Sequence, residues 1–230
     1  MATAVIIGAG EGLSASLARK LHARGYDLIL AARNIGKLEN LQKETNATLI
    51  ECDASNASDM EKVFLAADAF AGPLEVAVYN PSARVRGSII DLEPEAVKSA
   101  VLTTSFGAFL MAQQAAIRML PKNRGSILFT GASAGVKGFA NSSTFAMGKF
   151  ALRGLAQSLA RELHPQGIHV GHFVIDGGIR SSNRSDASTE TALDTMLDPD
   201  AIADNYLHFL DQPKSSWAWE IELRPWTEKF

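Results

Sequence analysis

The turn Gly8-Ala9-Gly10-Glu11-Gly12-Leu13-Ser14 has the residue types to cradle an anion. Small residues let a pyrophosphate approach the main chain, and the free amides and dipole at the start of a following helix attract negative charge. Gly8, Gly10, Glu11, Gly12 and Leu13 are therefore candidate cofactor-binding residues. A glycine-rich turn alone is a weak signal, and a tight turn with no ligand has the same composition. About 20 residues further on, an NAD site would carry an acid for the ribose hydroxyls. Here Arg33 stands instead, with Lys37 one helical turn later. A guanidinium pairs with a 2′-phosphate that an acid would repel, so this end leans to NADP. A solvated arginine at a strand end is the alternative.

Three further groups follow. Asp53, with Ala54 beside it, could accept a hydrogen bond from an adenine amino group or close an Asx turn. Asn80-Pro81-Ser82 combines a rigid proline with an amide that both donates and accepts. Asp176-Gly177-Gly178-Ile179 leaves a late apolar run with a lone acid, read as a turn former before a catalytic group. His22, His164, His169, His172 and His208 lack zinc-ligand spacing and read as surface or strand-end residues, so no metal site is expected.

The elements that must position these groups alternate along the chain. Ala4–Ile7 is a short buried-type strand running into the glycine turn. Leu13, Leu17 and Leu21 then mark one face of a helix closed by Gly25. Strands follow at Asp27–Ala32, Ala47–Cys52, Leu74–Tyr79, Ser126–Phe129, His169–Ile175 and Trp219–Leu223. Between them lie helical patterns at Ile35–Asn46, from a Ser58-x-x-Glu61 capping box, at Pro94–Leu120 in two pieces, at Thr144–Leu163 and from Asp198-Pro199 to Leu210. Such alternation implies βαβ units: one doubly wound α/β Rossmann domain spanning the whole chain, a parallel sheet of about seven strands with helices on both faces. The polar stretch Arg180–Leu197 reads either as a mobile loop over the site or as a surface loop.

Composition narrows the class. At 230 residues, 47% hydrophobic and 20% charged, the chain has the makeup of a single globular domain. A net charge of −3 without a basic cluster argues against nucleic acid and anionic membranes. No segment approaches the roughly 20 apolar residues of a membrane span. The lone Cys52 suits a reducing cytoplasm.

The stretch Ser142–Arg161 (SSTFAMGKFALRGLAQSLAR) resembles the active-site helix of the short-chain dehydrogenase/reductase family, whose mark is Tyr-x-x-x-Lys, with Lys149 as the lysine. The Gly8-x-x-x-Gly12 turn resembles that family's G-x-x-x-G-x-G, with Ser14 in place of the last glycine. Together with Asp53, the Asn80 segment and Gly125–Gly135, the resemblance covers nearly the whole chain. It implies an NADP(H)-dependent oxidoreductase on a small carbonyl or alcohol, in a homodimer or homotetramer. It also implies that Lys149 holds the nicotinamide ribose and that Gly177 and Ile179 meet the nicotinamide end. In the family a tyrosine hydroxyl, tuned by the lysine, protonates the carbonyl oxygen.

Measured against that pattern, the tyrosine position is Phe145, the serine position is Ala132 with Ser133 beside it, and the asparagine position is Thr104. The expected site residues are therefore Lys149, Phe145 as a pocket wall, and Ser133. Three readings stay open. The proton comes from water or a side chain such as Ser133, Ser143, Thr144 or a residue of the 180–197 loop; or the chemistry needs no protein acid; or the chain is an inactive NADP-binding sensor or partner-binding subunit. Trp217, Trp219 and Trp226 fit either a subunit interface or core packing.

Overall fold

The computed structural model describes residues 1–180 and 195–228. Seven parallel strands form one sheet in the order β3-β2-β1-β4-β5-β6-β9. They are β1 (Thr3–Ile7), β2 (Asp27–Ala32), β3 (Thr48–Glu51), β4 (Leu74–Tyr79), β5 (Gly125–Thr130), β6 (Ile168–Ile175) and β9 (Glu220–Leu223). The helices are α1 (Leu13–Ala23), α2 (Glu39–Thr45), α3 (Ala57–Asp68), α4 (Pro94–Val101), α5 (Gly107–Met119), α6 (Ser143–Leu163) and α7 (Pro199–Leu210).

Strand side chains alternate between two cores, as a pleat requires. Val5, Ile7, Ile29, Ala77, Ile127 and Phe129 pack with residues of α3, α5 and α6 on one face. Ala4, Ile6, Leu28, Leu30, Val76 and Leu128 pack with α1, α2 and α7 on the other. Each of the inner strands is covered twice, which is why each reads as a continuous apolar run. The strand order reverses beside β1, so the turn after β1 and the loop after β4 flank the crevice where ligands of such sheets bind.

Several local expectations need correction. α3 is capped by Asn56, whose Oδ1 accepts from the amides of Ser58 and Asp59, and not by a Ser58 box. The Ile35–Asn46 helix is a 3₁₀ turn, Ile35–Leu38, followed by α2. α4 and α5 are joined by a π turn, Leu102–Phe106, into a run over Pro94–Lys122 of spanning length and apolarity. Ala108, Met111, Ala115 and Met119 bury one side of that run against the sheet. His169 and His172 lie inside the protein: His169 stacks between Trp217 and Phe209, and His172 donates or accepts through Nδ1 at 2.9 Å from Glu220 Oε2. A small second sheet, β7 (Gly178–Ile179) with β8 (Met196–Leu197), lacks a legible signal at two residues per strand. The loop expected over the site falls largely in 181–194, outside the described residues.

Candidate active site

The glycine turn is held from both sides. Gly8 has φ +77°, and a Cβ there would sit 2.7 Å from the Pro81 ring, so only glycine lets the two loops meet. Ser14 is buried where a glycine was the comparison: its hydroxyl donates to Gly8 O at 3.2 Å and accepts from Asn80 Nδ2 at 2.6 Å. The serine thus stitches the two loops together. α1 begins after Gly12 with no side-chain cap, which leaves its first-turn amides available.

One cavity of about 390 Å³ is lined by Gly8, Arg33, Lys37, Asp53, Ala54, Asn80, Pro81 and Ser82, among others. Arg33 and Lys37 are exposed at its edge, with no acidic partner among the described residues. Asp53 Oδ1 accepts from Ser55 N (2.9 Å) and Ser55 Oγ (2.7 Å), so the carboxylate forms the Asx turn while also lining the cavity. Gly10, Glu11 and Gly12 line a neighbouring cavity that shares Lys37. Leu13 is buried in the core, and its side chain lines neither.

A second, larger cavity of about 700 Å³ shares Asn80 and Ser82 with the first. Ser133, Phe145, Lys149, Gly177 and Ile179 all line it. Ser143 and Thr144 do not; Thr144 Oγ1 is buried without a hydrogen-bond partner. Phe145 packs with Ala132 and Ala134 in a small apolar cluster. Lys149 is only 2% exposed and donates from Nζ to Thr130 O at 2.7 Å. Burial, and then the nearby Arg84 charge, lower its pKa from 10.5 to about 7.

The sequence reading singled out Asp176 here but missed Arg84, Thr130 and Tyr206. Arg84 lays its guanidinium over the Phe145 ring, 4.0 Å from the centroid, and Lys149 Nζ lies 5.9 Å from the same centroid. Thr130 presents its carbonyl to Lys149 and pairs its hydroxyl with Tyr206 on α7 at 2.8 Å. Asp176 is a charge anchor: buried, it faces Lys137 (3.7 Å) and Arg224 (3.4 Å). Arg84-x-Arg86 in the loop after β4 was the one signal available for Arg84, too short a pair to count as a basic cluster.

The π turn explains how that loop is placed. Within it Thr103 O accepts from the Tyr79 hydroxyl, and Thr104 Oγ1 accepts from Ala83 N at 3.1 Å. Ala83 directly precedes Arg84, so Thr104 sets where the guanidinium starts.

A family model described as short chain dehydrogenase matches residues 2–192. A Staphylococcus aureus (strain N315) protein, named only as an uncharacterized oxidoreductase, is 27% identical over 229 residues, covering 96% of each chain. The crystal structure of a short-chain dehydrogenase from Rhodopseudomonas palustris is 33% identical with a TM-score of 0.84, covering 98% of this chain and 99% of that one. A metagenomic short-chain oxidoreductase in complex with NADP is 25% identical with a TM-score of 0.83, covering 97% of both.

Proposed function

From this chain's membership of the short-chain dehydrogenase family, we propose that it is an NADP(H)-dependent oxidoreductase acting on a small carbonyl or alcohol, with proton delivery unlike the family's. The observation that carries the cofactor choice is the pair Arg33 and Lys37, exposed at the cavity edge where an NAD site would carry an acid. The NADP in the metagenomic relative agrees with it.

The residues present fit that cofactor. Gly8 lets the turn close against Pro81 where a Cβ would clash, and the uncapped start of α1 offers amides to a pyrophosphate. Gly8, Gly10, Glu11, Gly12 and Leu13 would hold the pyrophosphate by their main chain, Arg33 and Lys37 the 2′-phosphate, and Asp53 and Ala54 the adenine. Asn80, Pro81 and Ser82 would floor the passage between the two cavities; Lys149 would hold the nicotinamide ribose, with Gly177 and Ile179 at the nicotinamide. The bound cofactor supplies or accepts a hydride. Phe145 and Ala132 wall the substrate space with apolar surface, excluding water, while Lys149 brings positive charge to the reacting oxygen.

Fluorescence titration with NADPH and NADH in parallel tests this reading. Tighter binding of NADPH, by about tenfold or more, is expected from one charge-assisted phosphate contact. Binding of neither refutes it. The apolar cluster of Phe145, Ala132 and Ala134 favours a second reading, an NADP-responsive subunit without turnover. Carbonyl reduction by Phe145→Tyr alone, with an inert native protein, would select it. A reducing, cytoplasmic setting suits the buried Cys52 thiol, which burial pushes up to about 12.

The subunit arrangement we propose is a homodimer or homotetramer. Leu102, Phe106, Phe109 and Ile117 form an exposed apolar stripe along the π turn and α5, with the Phe106 and Phe109 rings stacked. A monomer by light scattering at micromolar concentration would exclude it.

A further inference from the structure

We propose that the Lys149 ammonium is the proton donor of this site, and that Arg84, seated on the Phe145 ring, is its positioning residue. This rests on the oxidoreductase reading above.

Among the described residues, the wall of the larger cavity offers few sources of a proton. Phe145 has none. Ser133 lines the cavity, but an aliphatic hydroxyl is a much weaker acid than a phenol or an ammonium and needs a relay partner to give up its proton. Asp176 is engaged by two cations, Lys137 at 3.7 Å and Arg224 at 3.4 Å. Glu228 and Arg86 stand exposed at the rim. His172 lies behind Gly131, tied to Glu220, and burial lowers its pKa to about 4, so it is neutral near pH 7.

Lys149 differs from all of these. Its ammonium has three donors, of which one goes to Thr130 O, and no carboxylate among the described residues pairs with it. Its side chain lines the larger cavity. The charged groups around it are Arg84 from the loop after β4, His172 from β6, and Lys137 and Asp176 across the cavity. Thr130, on β5, offers only its dipole. The Phe145 ring attracts both Arg84 and Lys149, and the two cations repel each other. Burial and that repulsion bring Lys149 to about 7, the range in which an acid both holds its proton and gives it up at physiological pH.

In the reduction, a hydride passes with its electron pair from the dihydronicotinamide C–H bond to the carbonyl carbon. The carbonyl π pair moves onto oxygen. One N–H bond of Lys149 breaks as the O–H bond forms, giving the alcohol and a neutral amine, which solvent reprotonates. Oxidation of an alcohol runs the same transfers backwards, with neutral Lys149 as the base.

The test follows Lys149 itself and turnover separately. In protein labelled with ¹³C,¹⁵N-lysine and free of cofactor, the Nζ resonance absent from Lys149→Met is titrated in the native chain, Arg84→Met and Arg84→Lys. Arg84→Met keeps contact with the ring but removes the charge. Consumption of NADPH with 2,3-butanedione is then followed against pH for the native chain and both Arg84 variants. The expected result is an Nζ inflection near pH 7 that rises by at least about half a pH unit in Arg84→Met and returns toward the native value in Arg84→Lys. The kcat for reduction should fall above the same pH and move with it, while NADPH affinity changes less than about threefold. Turnover whose pH profile ignores the Nζ inflection, or an Nζ that titrates as an ordinary lysine, overturns the proposal and leaves the oxidoreductase reading standing. NADPH binding with butanedione reduction by Phe145→Tyr only overturns both.

Discussion

Replacing Lys149 by methionine should make the protein more stable while abolishing its chemistry. In the folded chain burial first, then Arg84, lowers the ammonium from 10.5 to about 7. At about 1.4 kcal/mol per tenfold, keeping that charge inside costs about 5 kcal/mol at pH 7 and below. Methionine fills similar space without charge, but it leaves Thr130 O without its ammonium donor, a loss of about 1–3 kcal/mol. The net expectation is a gain of about 2–4 kcal/mol, or about 5–15 °C in Tm for a chain of this length. The gain must depend on pH in one direction. Between about 7 and 10.5 the unfolded chain binds the Lys149 proton and the folded chain does not, so native stability relative to the mutant rises with pH. The advantage of Lys149→Met is therefore full at pH 6.5 and shrinks as pH approaches 10. Urea unfolding without cofactor at pH 6.5 and 9.5 measures both terms, with an unchanged m-value as the control. A mutant that is less stable at pH 6.5, or whose gain is equal at both pH values, refutes the reasoning.

Three other perturbations probe the frame of the site. Arg33→Ala should weaken NADPH about tenfold and leave NADH unchanged, because only the 2′-phosphate needs the guanidinium; equal losses for both would place Arg33 elsewhere. Gly107→Ala should cost about 1–3 kcal/mol in thermal unfolding, since its Cβ would run into the Tyr79 hydroxyl and the Ala54 carbonyl, neither of which can retreat; an unchanged Tm would contradict that packing. His172 is the third. Burial lowers it from 6.5 to about 4, so between those values the unfolded chain binds the proton and stability falls on acidification. His172→Gln should flatten this limb by about 2–3 kcal/mol between pH 7 and 4, and an acid midpoint equal to the native one would count against it.

The strands and most helices are legible from local pattern because both faces of the sheet are covered. Ala4–Ile7, Leu28–Ala31 and Val76–Tyr79 need uninterrupted apolar side chains, and Leu13, Leu17 and Leu21 need helical spacing. Gly8 and Gly25 announce themselves through positive φ values that other residues rarely adopt. What failed locally failed where one residue type serves several ends. Asn56 took the cap in place of Ser58 because its side chain reaches two amides at once. His169 and His172 look polar in a strand pattern, yet inside the protein His169 stacks on Trp217 and Phe209 and pairs with Ala218 O, and Glu220 takes His172 Nδ1 while its Nε2 stays unpaired among the described residues.

The proposed cofactor cradle belongs to the first class: glycines, Arg33 and Asn80 fall at the ends of strands, where chain order alone assigns their place. The environment of Lys149 belongs to the second. Arg84, Thr130, Phe145 and Tyr206 come from a loop, β5, α6 and α7, far apart along the chain. Their meeting depends on the π turn that lets Thr104 take Ala83 and on the path of the loop it steers. Periodicity encodes which side of an element is buried. It does not encode how completely residues of other elements enclose a side chain, and that enclosure, with Arg84 second, is what lowers Lys149 from 10.5 to about 7.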